Sequence, residues 1–225
     1  MEPRSFLPVV SFAVIMSAGL TIAAHYLRPP RPTLIYVFKP LTTILILTAA
    51  ILPATVLTDP YAGAIVLGLL FSLIGDIWLM LPGGHFLRGL ISFLLAHLFY
   101  CYAFLAGGAT SAFPWPVLVL AVIGAAVLGY LWSALPTRLR GAVSIYVAVI
   151  VAMAGLAGER AIIRFSIGAL SAAVGALLFL TSDVILAIDR FRRPFRLASA
   201  AVLASYFAGQ LMIALSTGLL ADRGA

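Results

Sequence analysis

Eight apolar runs follow one another along the chain, at roughly residues 6–27, 34–54, 60–81, 87–107, 113–135, 140–157, 164–187 and 196–219. Each is close to the about 20 apolar residues that a helix needs to cross the hydrocarbon core of a bilayer. The breaks between them carry turn chemistry: Arg28-Pro-Pro-Arg-Pro, Asp59-Pro, Pro82-Gly-Gly, Gly107-Gly108, Pro136-Thr, Gly158-Glu-Arg and Arg190-Phe-Arg-Arg-Pro. The first run is too long for the apolar core of a signal peptide and reads as a true span. The pattern predicts an all-α, polytopic membrane protein: one transmembrane domain, residues 1–225, with eight helices.

Composition agrees. Of 225 residues, 64% are hydrophobic and 9% charged, against about 25% charged in a soluble domain. A soluble enzyme and a disordered chain are both excluded. Eight spans use roughly 160 positions, which leaves no room for a sizeable soluble domain. A lone Cys101 excludes an internal disulfide.

The net charge is +7, and its placement argues against a nucleic-acid partner. Arg28, Arg31, Arg88, Arg138, Arg140, Arg190, Arg192, Arg193 and Arg196 fall on one set of loops, while Arg4, Arg160, Arg164 and Arg223 fall on the other. The positive-inside rule then places the first set in the cytoplasm and both termini outside. A bacterial inner (cell) membrane is the expected location.

Two segments look alike: Leu73-Ile-Gly-Asp76-Ile-Trp-Leu79 and Leu180-Thr-Ser-Asp183-Val-Ile-Leu186. The offset of 107 residues also aligns Lys39 with Tyr146. A parallel 4+4 internal repeat would explain this, and so would chance likeness between apolar segments.

Polar residues inside the spans carry the functional information, because an ionisable group at the bilayer centre costs about 2.5–3.5 kcal/mol. Lys39, Asp76, Tyr146, Asp183, His97 and Tyr206 come from six different runs. Counted at about 1.5 Å per residue, all fall in the cytoplasmic half or near the midplane. They predict one cavity that opens toward the cytoplasm. Each also has a plainer reading. Lys39 can reach the headgroups. Asp76 can cap its helix or pair with Arg88, and Asp183 can pair with an arginine of the basic loop. His97, with Tyr100 on the same face, can serve helix packing. Tyr206 and Gln210, spaced i,i+4, can be interhelical glue. His25 and His85 stand near helix ends, and Asp189 fits an interfacial ion pair.

Other chemistries find little support. There is no G-x-S-x-G elbow, no H-E-x-x-H and no nucleotide-binding glycine pattern. With one histidine at depth, no metal site is expected.

In order and spacing, several segments resemble the YhhN-like lysoplasmalogenase family of integral membrane proteins. They are Lys39-Pro40, Phe71-Ser-Leu-Ile-Gly-Asp76, then Phe86, Gly89, Phe93, His97 and Tyr100, then Tyr146, Gly175-Ala-Leu-Leu-Phe-Leu-Thr-Ser-Asp183 and Tyr206-x-x-x-Gln210. The resemblance runs from about Lys39 to Ser216. It implies hydrolysis of the vinyl ether bond of a lysoplasmalogen to a fatty aldehyde and a glycerophospho-base, with no cofactor. It also implies Asp76 and Asp183 as the catalytic pair. Lys39, His97, Tyr100, Tyr146, Tyr206 and Gln210 would be the supporting residues. The partners implied are a lysophospholipid substrate and the membrane lipids, and the oligomeric state stays open.

A vinyl ether is stable to base and labile to acid, and its slow step is protonation of the β-carbon. Such catalysis asks for a carboxyl group that keeps its proton near neutral pH, which low dielectric and a neighbouring carboxylate favour. If Lys39 lies beside one aspartate, that aspartate is the ionised one. Arg88, Arg190, Arg192 and Arg193 sit where a substrate phosphate would arrive. Intramembrane carboxyl and ammonium groups also mark small lipid or proton-coupled transporters, which is the alternative reading. A structural, partner-binding membrane protein is a third.

Overall fold

The computed structural model describes residues 3–27, 31–53, 58–106 and 114–221. Arg28, Gly107, Gly108 and Arg223 lie outside the described residues. A short 3-10 turn, Pro3–Phe6, leads into α1 (Leu7–Ala24). Then come α2 (Pro32–Ile51), α3 (Pro60–Met80), α4 (Phe86–Leu105), α5 (Trp115–Trp132), α6 (Thr137–Arg164), α7 (Ile167–Phe191) and α8 (Ala198–Ala221). All eight are long and apolar enough to cross a membrane, and among the described residues there is no strand.

Local chemistry sets several boundaries. Proline occupies one of the first two positions of α1, α2, α3 and α5, where its missing N–H is not needed. Asp59 caps α3 by accepting from Tyr61 N, and Ser166 caps α7 by accepting from Ala169 N. The α3–α4 hairpin turns on Gly83 and Gly84, whose φ of 107° and 77° suits glycine alone among the residues present.

Consecutive helices pack on one another except α4 and α5, α4 packs instead on α6, and α8 closes the bundle against α2, α1 and α3. α5 rests on α6 and touches α7, so it lies at the edge. The closest approach joins α7 and α8. A Cβ on Gly175 would stand 2.6 Å from the Gly209 carbonyl oxygen, and the reverse distance is the same. Small residues of this kind let helices approach where lipid supplies no hydrophobic drive. The outside is apolar: Val122 is 72% exposed and Val9 65%. The inside holds buried Asp76, His97, Glu159, Arg160 and Gln210. This distribution suits lipid as the solvent.

One expected break is absent. Gly158-Glu159-Arg160 reads as a turn in the sequence, but α6 runs straight through it to Arg164. The physical reason is a distant acceptor. Arg160 Nη1 donates to the carbonyls of Phe104 (3.3 Å) and Ala106 (2.5 Å) at the end of α4, and its guanidinium lies over the Tyr61 ring. Those orphan helix-end carbonyls accommodate the charge at depth.

Candidate active site

The site lies toward the end of the bundle where α2, α4, α6 and α8 begin and α3, α5 and α7 finish. One pocket there is lined by residues of seven helices, among them Lys39, Asp76, Tyr146, Ser182, Asp183 and Tyr206. Its remaining wall is mostly aliphatic, including Leu120, Val147 and Ile150.

Asp76 is 1% exposed and has three partners. Lys39 Nζ stands 3.1 Å from Oδ1. Thr43 and Tyr206 donate to Oδ2 at 2.7 and 2.8 Å. Lys39 and Thr43 are four apart on α2, so they share a face. Lys39 therefore turns inward rather than reaching for the headgroups. A buried carboxylate with an ammonium and two hydroxyl donors is a well-satisfied charge.

Asp183 is placed differently. It is half-buried and faces the pocket. Among the described residues its one partner is Tyr146, which donates to Oδ2. No arginine pairs with it. Arg88 does not pair with Asp76 either: it lies over Trp78 and approaches His85 Nδ1. Asp189 accepts from the backbone N–H of Phe195 instead of forming the expected ion pair. His25 Nδ1 lies 2.9 Å from the Thr21 carbonyl.

A hydrogen-bonded chain runs behind Asp76. Tyr100 donates to Gln210 Oε1 at 2.7 Å, and Gln210 Nε2 reaches the Tyr206 oxygen at 3.3 Å. Tyr206 in turn donates to Asp76. Tyr100 and Gln210 thus stand behind the pocket wall and orient Tyr206. His97 is fully buried, edge-on to the rings of Tyr146 and Phe179 at centroid distances of 5.2 and 4.7 Å. Neither of its ring nitrogens has a hydrogen-bond partner among the described residues. It too stands behind the wall, against the back of Tyr146.

All eight residues singled out in the sequence converge here. Thr43 and Ser182 were not singled out. The i,i+4 spacing from Lys39 was the available signal for Thr43; Ser182 simply precedes Asp183. No group of three His, Cys, Asp or Glu residues capable of holding a metal occurs among the described residues.

The opposite end holds a second polar cluster, near a more open pocket lined by Thr58, Asp59 and Tyr102. Tyr61 and Ser216 share a hydrogen bond of 2.6 Å, and Thr217 donates to the Ala50 carbonyl. Together with Arg160 they tie α2, α3, α4, α6 and α8 together.

A family model described as the YhhN family matches residues 34–217. "Uncharacterized membrane protein YhhN" of Escherichia coli O157:H7 is 36% identical over 202 residues, covering 89% of this chain and 94% of that protein. "Lysoplasmalogenase TMEM86A" of Bos taurus is 35% identical over 168 residues, 71% of this chain and 67% of the relative. "Lysoplasmalogenase TMEM86B" of Homo sapiens is 33% identical over 150 residues, 66% and 60% of the two chains. No solved structure matches the chain.

Proposed function

The chain belongs to the YhhN family, and from that premise we propose that it is a lysoplasmalogenase-like hydrolase that cleaves the vinyl ether bond of lysoplasmalogens. Two relatives carry the name lysoplasmalogenase. The observation that carries the reading is the unequal pair of carboxylates in one largely apolar pocket. Asp76 has Lys39 beside it, and Asp183 has no cation among the described residues.

That inequality assigns roles. Asp183 is the general acid. It delivers its proton to the β-carbon of the alkenyl group, and the α-carbon becomes an oxocarbenium centre. Asp76, held ionised by Lys39, Thr43 and Tyr206, stabilises that cation and takes a proton from the attacking water. The resulting hemiacetal collapses to a fatty aldehyde and the glycerol hydroxyl, with one water consumed. Tyr146 orients Asp183, and His97 packs behind Tyr146 to hold it. Tyr100 and Gln210 do the same for Tyr206.

The substrate arrives from the leaflet that contacts the arginine-rich end. With eight arginines at that end among the described residues, the positive-inside rule favours the cytoplasmic leaflet of the cell membrane. The transporter reading fares worse. A carrier needs a polar route to both ends, whereas the buried polar groups of the opposite end are engaged with one another and with helix carbonyls.

The test is aldehyde release from a lysoplasmalogen by the purified protein, with a saturated lysophospholipid as control. Release from the vinyl ether alone, and its loss in Asp183→Asn, is the expected result. A folded wild-type protein that releases no aldehyde would overturn the reading.

A further inference from the structure

Arginines crowd the end of the bundle where the pocket lies, and three of them stack on aromatic rings without lining it. Arg88 lies over Trp78, and Arg140 over Trp132. Arg192 lies over Tyr130 and donates to Ser133 at 2.9 Å. Arg190 differs from these. It lies in the last turn of α7 and lines the pocket. Its guanidinium stacks 4.1 Å from the centre of the Phe86 ring, and among the described residues it makes no hydrogen bond or ion pair. A guanidinium stacked on a ring is held in place while its N–H edge remains free. Five donors and no acceptor at the helix-end side of a largely aliphatic pocket suit a phosphate group.

The spacing along α7 fits a particular ligand. Arg190 is seven residues beyond Asp183, two turns along the same face, at a rise of about 10.5 Å. In a lysoplasmalogen, seven covalent bonds separate the alkenyl β-carbon from the phosphorus. At the roughly 3.5 Å per three bonds of an extended chain, that is about 8 Å. A charge-assisted hydrogen bond adds about 2.8 Å. With the phosphate on Arg190, the carbon to be protonated therefore falls level with Asp183. The hydrocarbon then continues away from Arg190, past Val147 and Ile150 toward the place where Gly124 of α5 meets Val151 of α6. This order also matches the bilayer, with phosphate at the helix ends and hydrocarbon below.

Resting on the vinyl-ether reading above, we infer that Arg190 is the phosphate-binding residue of the pocket. It makes the protein select phosphodiester-bearing lysolipids over neutral 1-alkenylglycerols. Arg88 and Arg192 serve other contacts.

The test separates binding from turnover. Binding of a non-cleavable 1-alkyl lysophospholipid and of the matching 1-alkylglycerol is measured on the detergent-solubilised full chain. Wild type, Arg190→Gln and Arg192→Gln are compared. Wild type should prefer the phospholipid by about tenfold to a hundredfold, the range of one charged hydrogen-bonding group. Arg190→Gln should abolish that preference without weakening the alkylglycerol, and Arg192→Gln should retain it. Excess inorganic phosphate should weaken binding of the phospholipid and leave the alkylglycerol unchanged. With the 1-alkenyl counterparts, the Arg190→Gln loss should appear in KM, with kcat nearly unchanged. A preference that survives Arg190→Gln, an equal loss in Arg192→Gln, no preference in wild type, or displacement of the alkylglycerol by free phosphate would overturn the assignment. Phosphate-dependent binding without aldehyde release would sustain the subsite and refute the vinyl-ether reading.

Discussion

Among the described residues, Asp76 on α3 has three polar partners and is 1% exposed, whereas Asp183 on α7 has one partner and looks onto the pocket. The 107-residue offset between them also separates Lys39 from Tyr146. Each carboxyl group thus takes a partner from the preceding helix at a corresponding place. For Asp76 that partner is an ammonium group, for Asp183 a phenol. The difference teaches that similar helical surroundings can hold two carboxyl groups for opposite tasks. What changes is the charge of one neighbour. An adjacent cation favours the ionised form, and a neutral donor in low dielectric does not compel it. In the proposed mechanism that contrast separates acid from base.

The largest effect that can break the comparison is on turnover. Asp183→Asn should lower aldehyde release by about a hundredfold to ten-thousandfold, the usual weight of a positioned general acid. Its melting transition in detergent should scarcely move, because Tyr146 can still donate to the amide oxygen. Near-normal release by this variant and by Asp76→Asn would remove both carboxyl groups from the chemistry.

Lys39 sharpens the comparison through stability. Lys39→Met leaves the buried Asp76 carboxyl group without its cation. Removing one member of a buried pair costs up to about 3–5 kcal/mol. The combined Lys39→Met/Asp76→Asn variant should regain much of that stability yet remain inactive. Denaturation in detergent, run beside the turnover assay, would read both. A Lys39→Met variant as stable as wild type would show that the ion pair does not hold α2 to α3.

Much of this was legible in the chain, for a physical reason. In lipid every polar side chain at depth is conspicuous, so Lys39, Asp76, His97, Tyr146, Asp183, Tyr206 and Gln210 stand out against an apolar background. Eight helices follow from eight runs for the same reason. What the sequence could not reveal was direction. Lys39 has enough reach for the headgroups or for Asp76, and packing of α2 on α3 decides between them. Glu159 and Arg160 looked like a loop because charge commonly marks an interface. The depth of Arg160 is allowed by the carbonyls of Phe104 and Ala106, more than fifty residues away in sequence. Arg190 was one of several loop arginines until the aromatic stacks and the pocket wall distinguished it.

The two ends of the bundle give a smaller test. Arg160→Met should cost about 1.5–3 kcal/mol of stability, the range for hydrogen bonds from a charged group. It should leave KM and kcat for the vinyl ether within error, since Arg160 acts at the end away from the carboxyl groups. A selective loss of kcat in a fully stable Arg160→Met protein would connect the far end to catalysis and blur the division between the two ends.

The smallest effects should come from the two tyrosines, and their ratio bears directly on the carboxyl pair. Tyr206→Phe removes one of three partners from Asp76. Lys39 and Thr43 remain, so the carboxylate stays satisfied and stability should fall by only about 1 kcal/mol. Tyr146→Phe removes the one partner of Asp183 found among the described residues. Its effect on stability should be of similar size, because a protonated carboxyl group is less costly to leave unpartnered than a charged one. Its effect on kcat should be the greater, about tenfold, because the reacting group loses its orientation. Asp76, by contrast, keeps its position in Tyr206→Phe through the ion pair. If Tyr206→Phe proved the more damaging to kcat, the proton donor would have to be sought at Asp76, and the roles assigned to the two carboxyl groups would exchange.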